Sequence, residues 1–518
     1  MKNYFTLSEH PNMNYVATIC SIDELYPIEN SDHLLRTVVN GFDIVVDNNT
    51  KIGDIVVYFP VESAISLEFL GKNNLFGIDA YMLNDNNEIV KELLEQSQIA
   101  LNNGDNELYI QKKNDAKTLC GFFNDKGRVK TITLRGCPSQ GFITSVKSLC
   151  NWKPTLKAIT NWNELIGTVF DTVDGDLLVK KYVRVIPENN IIRNKSAKRN
   201  KNLKKFDRLY EDQFAYHYDT NMLNTNMFKF SPEDVVSISK KIHGTSAVFA
   251  NVLCKRKLSF WEKIKKFFGA KINNIEYGNI YSSRSVIKNR YINPTCNSFY
   301  NVDVWGWANN IIKPYLENGM TIYAEIFGYL PGSSKLIQAY HDYGCDASPN
   351  SPNHTLIMPY RITMTDAEGN KDEWSVEKVY NWTINLLNEH NELYNTIKPL
   401  DILYHGKFGD LYPEIDPNNH WHENVLAKMK IDTEHFHMEE DDPTCTKFLI
   451  SGSGKKAKYF QAPIEGIVIR RDKDDENNIS CAYKLKTQKH YSMATLLNDK
   501  NVEDIEEAES QNNENDSN

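Results

Sequence analysis

The run Val235-Val236-Ser237-Ile238-Ser239-Lys240-Lys241-Ile242-His243-Gly244 alternates like a strand, breaks at Lys241 to Gly244, and resumes at once in Thr245-Ser246-Ala247-Val248-Phe249. A lysine followed by a glycine between two strand segments sets an amine beside backbone that a ligand can approach closely. Lys-x-x-Gly alone is a common pattern, and its weight comes from the polar residues that follow in order. Arg284 ends Tyr281-Ser282-Ser283-Arg284, and Glu325 stands in Ile322-Tyr323-Ala324-Glu325-Ile326-Phe327-Gly328. Tyr360 follows in Pro359-Tyr360-Arg361-Ile362, Glu465 in Ile464-Glu465-Gly466-Ile467-Val468-Ile469, and two lysines in Tyr483-Lys484-Leu485-Lys486. Each is a polar residue in an apolar, strand-like run, which is costly if buried without a partner. Together they suit phosphate chemistry: an amine nucleophile at Lys241, carboxylates at Glu325 and Glu465 that can seat Mg2+ or a ribose, and a guanidinium fork at Arg284. Lys484 and Lys486 alternate onto one strand face, where they can neutralise charge in a transition state.

The elements that must position these residues lie between about 209 and 497, where strand-like and helix-like runs alternate without an internal repeat. The spacing predicts a helix over 374–397. It also predicts an amphipathic helix around 260–268, with apolar residues at 260, 261, 264, 267 and 268 and a lysine-rich opposite face. A basic amphipathic helix can lie on a membrane, but docking of this one on its own domain, with the lysines toward a nucleic-acid backbone, is the expected arrangement. His420, His422, His435 and His437 form an irregularly spaced group that reads as a solvated loop rather than a metal site. Upstream, the β-branched runs 16–23, 34–47, 54–60, 130–136 and 141–146 are separated by turn residues and predict a small all-β barrel or sandwich. A polar insertion near 78–118, with a helix around 88–102, interrupts it. The stretch 187–208 is basic and nearly devoid of apolar residues, which reads as a solvated linker able to contact phosphates. The last residues, 498–518, read as an acidic tail.

The 518 residues contain 59 Lys and Arg against 68 Asp and Glu, for a net charge of −9, with 41% hydrophobic and 25% charged residues. That composition excludes collagenous, wholly disordered and membrane-embedded classes. No segment approaches the roughly 20 apolar residues that cross a bilayer, and the N-terminus has no apolar signal core, so a cytoplasmic protein with no membrane partner is expected. Nine scattered cysteines without a CxxC pair argue against a disulfide framework and a zinc cage.

The ordered segments resemble the collinear motifs of the covalent nucleotidyltransferase superfamily, which comprises ATP-dependent DNA ligases, RNA ligases and messenger-RNA capping enzymes. KIHGTS (241–246) is similar to the nucleophile motif of RNA ligases, and SSRSVIKNR, YAEIFGY, EGIVIR and YKLK are similar to their later motifs. The N-terminal segments MNYVATICSIDELYPIENSDHLLRTVVNGFDIVV, KIGDIVVYFPVESAI and TITLRGCPSQGFI resemble the OB domain of the Deinococcus-type nick-sealing RNA ligases. The resemblance implies a multidomain α+β chain. An OB-fold barrel would span 1–186, followed after the 187–208 linker by a nucleotidyltransferase domain of antiparallel sheets with helices, ATP-grasp-like, over 209–497.

It further implies an ATP- and Mg2+-dependent (or Mn2+-dependent) RNA ligase. Lys241 takes AMP as a phosphoramidate, AMP passes to a 5′-phosphate end, and a 3′-hydroxyl attacks and expels it, with nicked duplex RNA or RNA ends as partners. In this frame Lys241, His243, Lys484 and Lys486 serve catalysis. Lys241, Gly244, Arg284, Glu325, Tyr360, Glu465 and Lys484 hold the nucleotide, and Glu325 and Glu465 seat the metal. Tyr360 would stack on adenine, and His243, two residues from Lys241, would act at the phosphates or serve the structure. Lys240 departs from the family pattern, which often has an acidic residue there. A monomer is favoured and oligomeric state is open, as it is whether the enzyme is viral and works in a host cytoplasm. The alternatives are a GTP-dependent capping-type enzyme, disfavoured by the short chain left after Lys486, and a non-catalytic OB-fold RNA-binding protein.

Overall fold

A computed structural model of the chain describes residues 4–183, 208–210, 212–289, 302–435, 447–451, 458–461, 464–473 and 480–499. The linker from 187 to 207, the tail from 500 onward and His437 lie outside these residues. The chain divides into two compact units, Met1–Val183 and Arg184–Asn518.

In the first unit the predicted runs form β1 (Ala17–Ser21), β2 (Leu34–Val39), β3 (Phe42–Asp47), β4 (Ile55–Phe59), β5 (Thr131–Leu134) and β7 (Phe142–Ser145), and the structure adds β6 (Cys137–Gln140) and the short β8 (Val169–Phe170). An antiparallel sheet runs β7-β4-β1-β8, and its inward residues Ile19, Val57, Phe59 and Phe170 share one core with Phe69 and Trp152. β2 and β3 form a tight hairpin through Asn40 and Gly41, both at positive φ (52° and 79°), the conformation a two-residue hairpin turn demands. The all-β expectation is too narrow. Where a polar insertion with one helix was expected, α1 (Asn87–Asn102) and α2 (Asn106–Thr118) pack side by side and bury Val90, Ala100 and Ala116. The strands fall into separate small sheets, with no closed barrel among the described residues.

The second unit is built from two five-stranded sheets. The first has the order β9-β18-β17-β10-β16, from β9 (Asn221–Met222), β10 (Val235–Lys241), β16 (Ile402–Lys407), β17 (Gly466–Arg471) and β18 (Cys481–Lys486). The second has the order β12-β11-β13-β14-β15, from β11 (Thr245–Lys255), β12 (Ile275–Ser282), β13 (Met320–Gly328), β14 (Thr355–Thr365) and β15 (Lys371–Glu373). Helix α3 (Phe260–Phe267) joins β11 to β12. The later helices are α4 (Val304–Ile312), α5 (Val376–Glu389), α6 (Trp421–His435) and α7 (Gln488–Asp499).

Alternation explains how each sheet stays two-faced. Val236 and Ile238 of β10, Ile467 and Ile469 of β17, and Tyr483 and Leu485 of β18 pack with Trp421 and Val425 of α6 in one core. The intervening Ser237, Ser239 and Lys241, and Lys484 and Lys486, fall on the other face. In the second sheet Ile322, Ile326, Ile357 and Ile362 pack against Trp305 of α4 and Val379 and Leu387 of α5. The histidine group expected in a solvated loop is in part helical: His422 lies in α6 and its Nε2 is 2.8 Å from the Phe230 carbonyl oxygen. The apolar positions of α6, among them Trp421, Val425 and Met429, set that helix against the core.

The two sheets are tied by buried charge. Arg470 of β17 pairs with Asp472 (2.9 Å) and with Glu373 of β15 (3.1 Å), and Glu373 also takes Arg361 of β14 at 2.8 Å. Arg470→Met would leave Asp472 partly buried without its cation and Glu373 with Arg361 alone, at a cost of up to about 3–5 kcal/mol. The expected result is a large drop in the unfolding midpoint of this unit. An unchanged midpoint would show that the clamp is dispensable.

Candidate functional site

Chain order reverses between the sheets at Lys241-Ile242-His243-Gly244, because β10 belongs to one sheet and β11 to the other. The break between two strand segments is the one expected from the sequence, which assigns the glycine to the approach of a ligand. Instead the glycine admits the protein's own backbone: a Cβ at Gly244 would lie 2.3 Å from the Ile326 carbonyl oxygen of β13. The turn is pinned on three sides. The Gly244 N–H donates to Glu325 Oε1 (2.8 Å), its carbonyl accepts from Gln338 Nε2 (2.8 Å), and the His243 N–H donates to the Tyr343 hydroxyl (3.0 Å).

Register then aligns the charged groups. Lys241 pairs with Gly466, and Gly466 pairs with Lys486, so the two lysines flank a glycine in one row across three strands. Strands two apart are roughly 10 Å apart. Glu465, one residue before that glycine, closes the gap: its Oε2 is 2.6 Å from Lys241 Nζ and its Oε1 is 2.7 Å from Lys486 Nζ. Gly466 adopts φ +152°, and a Cβ there would sit 2.0 Å from the Leu485 carbonyl oxygen, which limits the position to glycine. The carboxylate is 4% exposed. Burial alone would raise its pKa, but the Lys241 and Lys486 ammonium groups, with His490 and His243, hold it well below the usual carboxylate range. Glu465 is therefore ion-paired with both site lysines, and a ligand must exchange that contact to reach Lys241.

His243 does face Lys241's partner, with Nδ1 3.9 Å from Glu465 Oε2, although the route is a turn between sheets rather than one strand. Its ring packs edge-on against His341 (5.0 Å) and His490 (5.4 Å). Burial first, and then the neighbouring cations, push His490 well below its usual range despite Glu465, so it stays neutral.

A second group of side chains adjoins the first. Tyr360 is the extra residue of a bulge in β14, where Tyr323 pairs with Arg361 but Ala324 pairs with Pro359. Its hydroxyl lies 3.0 Å from His217 Nδ1. Arg284 pairs with Asp219. Burial, and then the Arg284 guanidinium, bring His217 down to about 3, which leaves a neutral imidazole. Burial would raise Asp219, but Arg284 outweighs it and lowers the carboxyl. Lys484 lies within electrostatic reach of both groups, through Glu465 on one side and Asp219 on the other.

Burial first, then the cations Lys486 and Lys241, bring Lys484 down to about 7. An unfolded lysine keeps its proton to about pH 10. Between those values the unfolded chain binds the extra proton, so stability rises with pH above about 7, and the penalty for a charged Lys484 is fully present below it. The parent Tm is therefore expected to climb from neutral to mildly alkaline pH relative to that of Lys484→Met. Parallel Tm profiles for the two proteins would refute this.

Of the residues expected at the site, Lys241, His243, Gly244, Glu325, Glu465, Lys484 and Lys486 gather at the turn between the sheets, and Arg284 and Tyr360 in the adjoining group. Lys240 points away and pairs with Asp401 at 2.7 Å. Sequence reasoning missed His217, Asp219, Gln338, His341, Tyr343 and His490. His490 had a signal in its place four residues after Lys486; the 338–343 segment had none.

No protein-family model matches the chain, and no curated protein matches it. The solved structures it is similar to include Naegleria gruberi RNA ligase with PPi, at 15% identity and a TM-score of 0.44, covering 92% of this chain and 98% of that one. A variant of the Naegleria gruberi enzyme with AMP and Mn is 15% identical, covering 92% of this chain and 98% of that one, with a TM-score of 0.47. Another with ATP and Mn is 13% identical, covering 93% of this chain and 99% of that one, with a TM-score of 0.46.

Proposed function

We propose that the second unit is an adenylyltransferase and that the chain is an ATP-dependent RNA ligase, sealing 3′-hydroxyl to 5′-phosphate ends in nicked duplexes during RNA repair. The observation that carries this reading is the Lys241–Glu465–Lys486 row beside the Arg284 and Tyr360 group: a lysine amine and further cations converge beside an aromatic ring, as a nucleotide requires. Lys241 Nζ, freed from Glu465 and with its protons released to solvent, bonds to the α-phosphorus of ATP while the bond to the β-phosphate oxygen breaks and pyrophosphate leaves. AMP then moves to the 5′-phosphate of the RNA, and attack by the 3′-hydroxyl forms the phosphodiester and releases it. Lys484 and Lys486 stabilise the negative charge of these displacements, and Tyr360 stacks on the base.

Among the described residues no three or more His, Cys, Asp or Glu side chains come together as a metal cage. Mg2+ or Mn2+ would be held by the carboxylates of Glu325 and Glu465 together with nucleotide phosphates. When bound, the ion would neutralise charge on the transferring phosphates.

The deciding experiment incubates the protein with labelled ATP or GTP and Mg2+ and looks for label that stays on the denatured chain. Labelling from ATP supports the reading. Labelling from GTP alone would make the protein a capping-type enzyme, and none from either would leave an RNA-binding protein.

In the same reading residues 1–186 form an OB-type module that holds RNA, 187–208 a basic linker, 209–497 the adenylyltransferase and 498–518 a tail. A chain beginning at Leu209 should still be adenylylated, yet lose most sealing of a 5′-phosphate nick and show a shallower salt dependence of RNA binding. Equal sealing and equal salt dependence would show that the first unit serves another purpose.

A further inference from the structure

Helix α3 is expected from its sequence to dock on its own domain, and it does not. Phe260, Trp261, Phe267 and Phe268 are 71%, 70%, 85% and 79% exposed, and none of the residues of α3 is buried. So short a helix is ordinarily marginal without packing. This one is secured at its start, by a capping box between Ser259 and Glu262 and by an Arg256–Glu262 ion pair of 2.6 Å. At 3.6 residues per turn, Phe260, Trp261, Ile264, Phe267 and Phe268 share one arc. Lys263, Lys265 and Lys266 occupy the rest of the circumference, and Lys257 and Lys271 stand at the two ends, all of them exposed. The single acid, Glu262, is already engaged by Arg256.

Position separates this face from the chemistry of the site. Strand β11 starts beside Gly244 and runs 11 residues to Lys255 before the helix begins. At the rise of a strand that is roughly 35 Å, so the lysines of α3 do not stand over the phosphates at Lys241.

We propose that α3 is an interfacial anchor that lies on an anionic lipid surface, its aromatic arc at the headgroup boundary and its lysines against the acidic headgroups. A contiguous apolar arc flanked by lysines is the pattern of such helices. An RNA duplex would satisfy the lysines but leave four large aromatic side chains in water, whereas a lipid surface takes both. The anchor lies on the membrane; no helix among the described residues is long and apolar enough to cross one. The inference is independent of the ligase reading.

The test uses the full chain in sedimentation with vesicles of phosphatidylcholine alone or mixed with phosphatidylserine. The parent should pellet with the mixed vesicles and not with the neutral ones. Combined Lys263→Gln, Lys265→Gln and Lys266→Gln should weaken binding on the order of a hundredfold, from a loss of about fivefold per lysine. Combined Phe260→Ser, Trp261→Ser, Phe267→Ser and Phe268→Ser should abolish it. Trp261→Phe should keep binding but remove the vesicle-induced blue shift of tryptophan fluorescence. Autoadenylylation should be unchanged in all three proteins. Failure of the parent to bind mixed vesicles would overturn the proposal, as would undiminished binding by the serine variant. A lysine variant that loses only its grip on nicked RNA would assign the helix to RNA and overturn it equally.

Discussion

Lys241→Ala is expected to bring covalent labelling by ATP to background, the largest effect of any single substitution in this chain. Lys241 stands in the turn that joins the two sheets, and its amine is 2.6 Å from a carboxylate that a ligand can displace. The other amines of the row are committed elsewhere. Lys486 pairs with the second oxygen of Glu465, and Lys484 sits two register rows further along, opposite Val468. Alanine leaves the Glu465–Lys486 pair intact, so the fold should persist and the loss should be one of chemistry. Lys241→Arg should fail equally, because a guanidinium stays protonated and cannot attack phosphorus. The measurement is label retained on denatured protein, beside a thermal melt of each variant. Full-strength labelling of a folded Lys241→Ala protein would move the nucleophile to another residue.

Glu465→Ala is expected to slow adenylylation by at least a few hundredfold, about the loss found when one preorganised electrostatic partner is removed. Its two oxygens space Lys241 and Lys486 across the glycine between them. Without them the two ammonium groups repel each other and neither is held towards the nucleotide. Two half-buried lysines also lose their counter-charge, so a moderate fall in stability should accompany the kinetic defect. Glu465→Gln separates the effects, since it keeps the shape and one acceptor oxygen but removes the charge. If charge spaces the lysines, the glutamine variant should be nearly as slow as the alanine one while melting closer to the parent. Single-turnover labelling at the parent rate in either variant would reduce Glu465 to a structural ion pair.

Much of the second unit was legible because strand periodicity is a local property. In Val-Val-Ser-Ile-Ser-Lys-Lys the apolar and polar positions alternate, and the structure keeps them on opposite faces. The same holds for Tyr483-Lys484-Leu485-Lys486. The helices at 88–102 and 374–397 were visible from the sequence; the first forms as Asn87–Asn102, whereas the second stops at Glu389, eight residues early.

The candidate site was legible as a set of residue types and invisible as an arrangement. The sequence by itself determined that Lys241, Glu325, Glu465, Lys484 and Lys486 stand in or beside apolar, strand-like runs, and so must meet partners. Only the tertiary structure decided which partners. Pairing of Lys241 with Gly466, more than two hundred positions away, set Lys241 in one row with Gly466 and Lys486, and that register depends on long-range hydrogen bonding no local pattern encodes. The same holds for His217, Asp219, Gln338 and Tyr343, whose segments carry no periodic signal and reach the site through the path of the chain. For α3 the sequence specified two chemically different faces; which one meets water depends on what the rest of the fold leaves beside it. Amphipathicity follows from the order of side chains along one helix, whereas burial is a property of its surroundings.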